Sequence, residues 1–430
     1  MIHHLSKHDT RDGFTLIELL MVMAIIATLM AMSVVVMLGF MDQAEEEATS
    51  ATLQKLARLV EQRSEAIDRA FSGVRKQRAE RAMYSVLTDP NQDGDRSDGI
   101  FLDDAAALTI LARKAHYRYE MPQRFAERLL FGDAAVSVSG MPQSIYLAIA
   151  APRARNTLGL AVTTALTDPA IISEVASKWA NNQAETESSE LLYFCLIASG
   201  TFGATSVDSD RFTDAEIQDT DNDGLPEFVD AWGQPLRFYR WPTRLVDWDP
   251  PVPFQPDLSD PDDPTDVIVT VDTDNDGTPD TTVGQRAVSQ QERNVANILL
   301  KGLPPAPSML PNGVLPRDLL LTDPDDPIGT LYSVLEELNG LNGTPLFASQ
   351  FNEALFHTPD TFHAPLVVSA GLDGVLGLRE PNDTANLGNL AAYDPDLDGN
   401  GTAGQASDFE LLLDVLSDNL TSRSKLAGGR

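Results

Sequence analysis

The first pattern along the chain is one long apolar stretch followed by one long amphipathic one. Residues 14–41 carry a single charge, Glu18, among Leu, Ile, Val, Met, Ala and Phe. A bilayer core needs about 20 helical residues, so this stretch is long enough to span one. From residue 42 to 87 there is no proline and Gly73 is the only glycine. Leu53, Leu56, Leu59, Val60, Ile67, Phe71 and Val74 recur there at helical spacing, which predicts that the helix continues. A single helix over 14–87 would be about 110 Å long at about 1.5 Å per residue. Such a spine cannot bury itself, so its apolar stripe requires a sheet or neighbouring subunits to cover it.

Beyond the spine the pattern shortens. Residues 89–104 read as an acidic loop, and 105–130 as helix with a break near Pro122. Residues 134–151 and 158–166 fit strands or short helices, and 171–184 a helix. After the turn residues Gly233 and Pro235, the alternation of Leu236, Phe238 and Arg240 predicts a strand. Residues 247–266 and 301–316 are rich in proline and read as connectors that form little regular structure.

Charge sets the orientation and narrows the partners. Lys7 and Arg11 precede the apolar stretch, whereas Asp42, Glu45, Glu46 and Glu47 follow it. The positive-inside bias keeps residues 1–13 in the cytoplasm and sends the rest outward, a single pass through a membrane. Across the 430 residues, 31 basic and 64 acidic side chains give a net charge of −33. That balance opposes nucleic-acid binding through phosphates and favours a solvated surface or bound cations. The basic cluster Arg75, Lys76, Arg78 and Arg81 reads as a solvated or sheet-pairing face. Cys195 is the only cysteine, so no intramolecular disulfide exists, and its setting, "LLYFCLIASG", is that of core filling. The sequence holds no HExxH helix, nucleophile elbow or Walker loop, so it gives no case for an enzyme. His357, Asp360 and His363 stand close in sequence but read as ordinary side chains.

The acids are arranged. "DTDNDG" occurs twice. In the first copy Asp219, Asp221 and Asp223 fall at loop positions 1, 3 and 5, Gly224 at the turn, Glu227 at 9 and Asp230 at 12. Calcium takes six to eight oxygens, and alternating carboxylates around a glycine turn wrap one ion without steric conflict. The second copy offers Asp272, Asp274, Asp276 and Asp280 but has Val283 at position 12, so it needs a ligand from elsewhere. "DPNQDGDRSDG" and "DPDLDGNG" are weaker relatives, and all four resemble the repeats of thrombospondin type 3 and dockerin modules. The competing reading is that these Asp-Asn-Gly-Pro stretches are solvated turns.

Glu18 remains to be explained. An acidic residue at the centre of a membrane helix costs about 2.5–3.5 kcal/mol, less near an end, so it calls for a partner. The charged leader ending in Gly13, followed by "FTLIELLMVMAIIATL", resembles the class III signal of type IV pilins and of the pseudopilins of type II secretion. The resemblance implies cleavage by a prepilin peptidase between Gly13 and Phe14, methylation of the new Phe14 amine, and pairing of Glu18 with the amino terminus of a neighbouring subunit during assembly. Two further stretches look like those of the major pseudopilin. They are "DAWGQPLRFYRWP" (Asp230, Trp232, Gly233, Pro235, Tyr239) and "LVVSAGLDGVLGL", where the resemblance implies that Ser369 and Asp373 help hold calcium. "SDNLTS" (417–422) faintly resembles the closing segment of that family.

The expected fold is therefore α+β and pilin-like: a long N-terminal helical spine on an antiparallel sheet, with large irregular acidic insertions. The expected divisions are a cleaved leader at 1–13, a transmembrane half of the helix at 14–41 and its soluble half at 42–87. A mainly helical insertion follows at 88–229, sheet and C-terminal loop at 230–242 and 363–430, and an Asp/Pro-rich insertion at 243–362. The implied partners are the prepilin peptidase, an inner-membrane assembly platform, copies of the chain and other pilin-like subunits. The alternative is a membrane-anchored, calcium-dependent surface module for binding or adhesion.

Overall fold

Glu, Ala, Leu and Met dominate the first helix, α1 (Leu16–Ala70), as helix propensity favours. The computed structural model describes residues 16–88, 104–125, 145–165, 168–198, 209–241, 267–271, 281–285, 365–382 and 406–423, with Leu299, Thr330, Leu331 and Val334. Two compact units divide the chain, residues 1–47 and 48–430. In the first, the described part is the opening stretch of α1, with Leu16, Ile17, Leu19, Leu20, Met21, Met30 and Met32 each more than half exposed. Among the described residues no helix is long and apolar enough to cross a membrane. The side chains at positions 18, 34–36, 38 and 39 of that stretch lie outside the described set.

The predicted single helix over 14–87 is corrected. α1 ends at Ala70, and α2 (Gly73–Thr88) begins after a turn. Gly73 sits at φ +55°, left-handed backbone that a side chain disfavours. The glycine that the apolar spacing skipped over is where the spine breaks.

In the second unit the apolar stripe of α1 is covered by a sheet. β3 (Arg237–Tyr239) pairs antiparallel with β6 (Leu366–Ser369), Phe238 opposite Val367, and β6 pairs with β7 (Leu420–Thr421), Ser369 opposite Leu420. Leu53, Leu56, Leu59, Val60 and Ile67 form one core with Leu236, Phe238, Val367 and Leu420 of or beside that sheet. Phe228 and Phe212 close the same core, their rings 4.9 Å apart. A second small sheet joins β1 (Ile217–Gln218) to β2 (Glu227–Phe228), and a separate hairpin joins β4 (Val267–Val271) to β5 (Thr281–Gln285).

Helices fill the stretch between spine and sheet. α3 (Ala105–Glu120) starts where Asp104 Oδ1 accepts from the amides of Ala106 and Ala107, and ends before Pro122, as predicted. α4 (Ile145–Leu158) makes the described end of 134–151 helical, residues 134–144 lying outside the described set, and the described part of 158–166 holds turns where strand or helix was expected. α5 (Pro169–Trp179) has Asp168 as cap and Pro169 at its first position, both fitted to a helix start. α6 (Glu187–Tyr193) runs into a π-type turn, Phe194–Ala198. The buried Arg63 guanidinium of α1 donates to the carbonyls of Cys195 (2.6 Å) and Leu196 (3.3 Å) there. Arg63 thus satisfies acceptors in the widened turn. Cys195 is buried at 2% exposure, where its apolar neighbours place it. α7 (Ala406–Asp418) leads into β7.

Leu56 is fully buried between spine and sheet. Leu56→Ala is expected to cost about 2–5 kcal/mol in denaturant unfolding, by lost burial and the cavity left behind. Val74, 81% exposed on α2, is expected to change stability by less than about 0.5 kcal/mol when replaced by alanine.

Candidate cation-binding site

Loop 219–225 is built by its own carboxylates. Asp219 Oδ2 accepts from the Gly224 amide (3.1 Å), Asp221 Oδ1 from the Asp223 amide (3.0 Å) and Asp223 Oδ1 from the Leu225 amide (2.6 Å). These are turns that Asp favours, and they place Asn222 at φ +63° and Gly224 at φ +93°. Below the loop, β1 and β2 close the hairpin with Gln218 opposite Glu227.

The outer oxygens of the loop face α6. Asp221 Oδ2 accepts from the Gln183 amide (3.1 Å) and the Thr186 hydroxyl (3.0 Å). Asn182 Nδ2 reaches both Asp223 Oδ2 (3.5 Å) and Glu190 Oε2 (3.4 Å). One carboxylate oxygen from each of Glu190, Asp221 and Asp223 lies within 4.8 Å of the others. All three residues are buried, Glu190 and Asp223 at 2% exposure. Among the described residues no basic side chain pairs with any of the three. Glu190 Oε1 has no hydrogen-bond partner there, and neither do Glu227 Oε2 and the Tyr146 hydroxyl.

Burial pushes the Glu190 carboxyl far above its ordinary range, and the charges of Asp223 and Asp221 add to this. Asp223 is raised for the same leading reason, against the Leu225 amide that favours its charge. Burial lifts Glu227 to about 7, although both the amide and the hydroxyl of Thr220 donate to its Oε1. Chemically this is a hard-oxygen pocket whose negative charge calls for a proton or a cation.

The structure brings Asp221 and Asp223 together and adds Glu190, which the sequence reading did not name. No spacing rule links positions 190 and 221; the only signal was an acidic residue in an apolar helix beside Cys195. Asp219 caps the loop and Glu227 holds Thr220, so neither joins the three. Asp230 lies apart, because β2 carries the chain away from the loop. Its Oδ1 accepts from the amides of Trp232 (3.0 Å) and Gln234 (2.9 Å), and its Oδ2 from the Ser369 hydroxyl (2.7 Å). Gly233 at φ +82° and the bridge from Val229 to Pro235 complete that turn. The turn docks on α1 through the Ala231 amide, which donates to Thr49 Oγ1 at 3.0 Å.

Ser369 and Asp373 belong to a second acidic place. Asp373 Oδ1 accepts from the Val375 amide (2.8 Å), and its own amide donates to Asp418 Oδ2 (3.2 Å). Asp418, another residue the sequence reading did not name, is raised by burial and by the charge of Asp373. Gly371, at φ +75°, lies so close that a Cβ would stand 2.5 Å from the Asp418 carbonyl oxygen. Asp272, Asp274, Asp276 and Asp280 lie outside the described residues, as do Gly13, Phe14, His357, Asp360 and His363. Glu18 is within α1, but its side chain is not described.

Residues 10–34 match the family model of the prokaryotic N-terminal methylation motif. The match supports a class III prepilin-like signal of the type IV pilin and pseudopilin kind. No curated protein and no solved structure matches the chain.

Away from the loop, at the end of α3, burial lifts Glu120 to about 7 against the charges of Arg75 and Arg63. A carboxyl whose folded pKa is raised stabilises fully below its unfolded value, and that contribution disappears as pH climbs through the folded one. With divalent cations chelated, unfolding stability is expected to fall between pH 4.5 and about 7. Glu120→Gln is expected to flatten part of that fall, measured by denaturant unfolding across the pH series.

Proposed function

We propose that the chain is a structural subunit of a type IV pilus-like or type II secretion pseudopilus filament, inserted in the inner membrane before assembly. The observation that carries this is the methylation motif at residues 10–34, which runs directly into α1. Proteins bearing that motif are structural rather than enzymatic, and the motif implies processing by prepilin peptidase and assembly with other pilin-like subunits.

The physics of α1 supports the same reading. Its opening stretch presents large apolar side chains on every side, with Leu16 at 81% and Met32 at 68% exposure. A surface of that kind is unstable in water. Lipid covers it before assembly, and the helices of neighbouring subunits cover it afterwards. Lys7 and Arg11 on one flank and Asp42 to Glu47 on the other leave the amino terminus cytoplasmic. Glu18 then answers the methylated amine of Phe14 on the next subunit, an ion pair strong in a low-dielectric medium when its geometry is good. Calcium neutralises the acidic loops of the outward unit.

Co-expression with a prepilin peptidase is expected to yield a chain that starts at Phe14 and carries one methyl group, read by mass spectrometry. Glu18→Ala is expected to leave membrane insertion intact while reducing recovery in sheared filaments at least about tenfold, as loss of a desolvated charge partner implies. Filament incorporation unchanged by that substitution would overturn the proposal.

A further inference from the structure

The acidic pocket at α6 is more than a loop of solvated turns. We infer that Glu190, Asp221 and Asp223 form the seat of one calcium-class divalent cation, with Glu190 supplying from α6 the ligand that a contiguous twelve-residue loop would take from Asp230. The inference rests on the calcium stabilisation just proposed and assigns its position and ligands.

Three observations converge. The three carboxylates place an oxygen each within 4.8 Å of one another, a spacing that fits oxygens around one ion. Glu190 is 2% exposed, yet its Oε1 has no hydrogen-bond partner among the described residues. Tyr146 is fully buried, and its hydroxyl, which lies beside Asp223, has no hydrogen-bond partner of good geometry among the described residues. An orphaned carboxylate oxygen and an orphaned hydroxyl, both facing the same cluster from separate helices, mark a place where a polar partner belongs. A positive partner fits best, since three of its neighbours are carboxylates.

The donor set selects the ion. All three ligands are hard oxygens, with no imidazole or thiolate among them, which disfavours zinc and copper. Magnesium demands near-ideal octahedral geometry and keeps several waters, whereas calcium accepts carboxylates at irregular angles. The geometry also gives the ion a task. α6 holds both small sheets: Ser189 Oγ donates to the Phe228 carbonyl (2.8 Å), and Ser188 Oγ accepts from the Phe238 amide (3.0 Å). A cation bridging Glu190 to Asp221 and Asp223 pins loop 219–225 to the helix that both sheets lean on. In a chain with one cysteine it does the work of a cross-link.

The test uses the full chain in detergent micelles, with Ca²⁺, Mg²⁺ or Tb³⁺ as the only added ion. Wild type is expected to show Tb³⁺ emission sensitised through Tyr146 and Trp179, whose rings lie 4.7 Å apart, and Ca²⁺ but not Mg²⁺ is expected to displace it. Glu190→Gln and Asp223→Asn should each abolish that emission and lower calcium stoichiometry by one ion per chain, whereas Asp230→Asn should keep both. Melting supplies a readout that a merely structural residue would not give. In chelator, Glu190→Gln should melt above wild type because an amide at that place never has to bury a carboxylate beside two others; in calcium it should melt below. If Glu190→Gln fails to fold, Asp223→Asn and the wild-type competition decide. Undiminished stoichiometry in both variants would put the ion elsewhere and overturn this assignment alone. Wild type that binds no calcium would overturn the calcium reading with it, leaving the filament reading to the Glu18 experiment. Higher melting of Glu190→Gln in both chelator and calcium would show that a proton occupies the pocket instead, and would also overturn it.

Discussion

The structure of the second unit depends on covering one stripe of α1. Leu53, Leu56, Val60 and Ile67 lie within 7% of full burial, and a lone helix has no means of hiding them. The cover is a sheet of three short strands drawn from distant parts of the chain. Strands that short supply little cohesion by themselves, so the sheet is locked from outside. Asp230 and Ser369, 139 positions apart, join the turn before β3 to the end of β6. The Arg237 guanidinium beside β6 meets Glu380 at 2.9 Å, and the Tyr239 hydroxyl donates to the Arg379 carbonyl at 2.8 Å. Loop-closure entropy grows only slowly with loop length. Large insertions between β3 and β6 are therefore compatible with the sheet, provided its few locks are made.

What was legible in the sequence follows from how local its cause is. The stripe on α1, the helix start at Ala105, the stop before Pro122 and the strand at Leu236 to Arg240 are each set by residues a few positions apart, and periodicity or turn chemistry reveals them. Turn chemistry also identified Gly233 and the loop around Asp221 and Asp223. The break at Gly73 was visible as a residue but not as an event, because a single glycine inside a periodic stretch is compatible with a continuous helix. Glu190 was not legible at all, and Asp418 only as a member of "SDNLTS". Their roles arise from tertiary packing, which brings α6 against loop 219–225 and the end of α7 against loop 371–375. Nothing in the immediate neighbours of Glu190 announces its meeting with the loop. Loop numbering puts Asp230 at position 12, and in the structure the two residues of β2 carry it past the loop so that its Oδ2 accepts from Ser369.

Two classes of buried acid emerge, and they divide by whether donors were supplied. Asp230 accepts from two amides and a hydroxyl, and Glu187 accepts from the Phe125 amide and the Asn382 side chain. These are structural anions, held by the fold as a helix cap holds its first turn. Among the described residues Glu120, Glu190, Glu227 and Asp418 instead each keep one buried oxygen with no hydrogen-bond partner, a condition that costs about 1–3 kcal/mol for each group and more when it is charged. With a net charge of −33 and a single cysteine, the chain has neither spare cations of its own nor disulfides with which to answer them. A chain of that composition can either hold protons in such places or draw cations from its surroundings. The first choice ties stability to pH, and the second ties it to an ion that is plentiful outside cells. Helix α6 carries one acid of each class, the answered Glu187 and the unanswered Glu190 one turn further on, so the donors that tertiary packing brings, and not the element an acid stands on, decide its class.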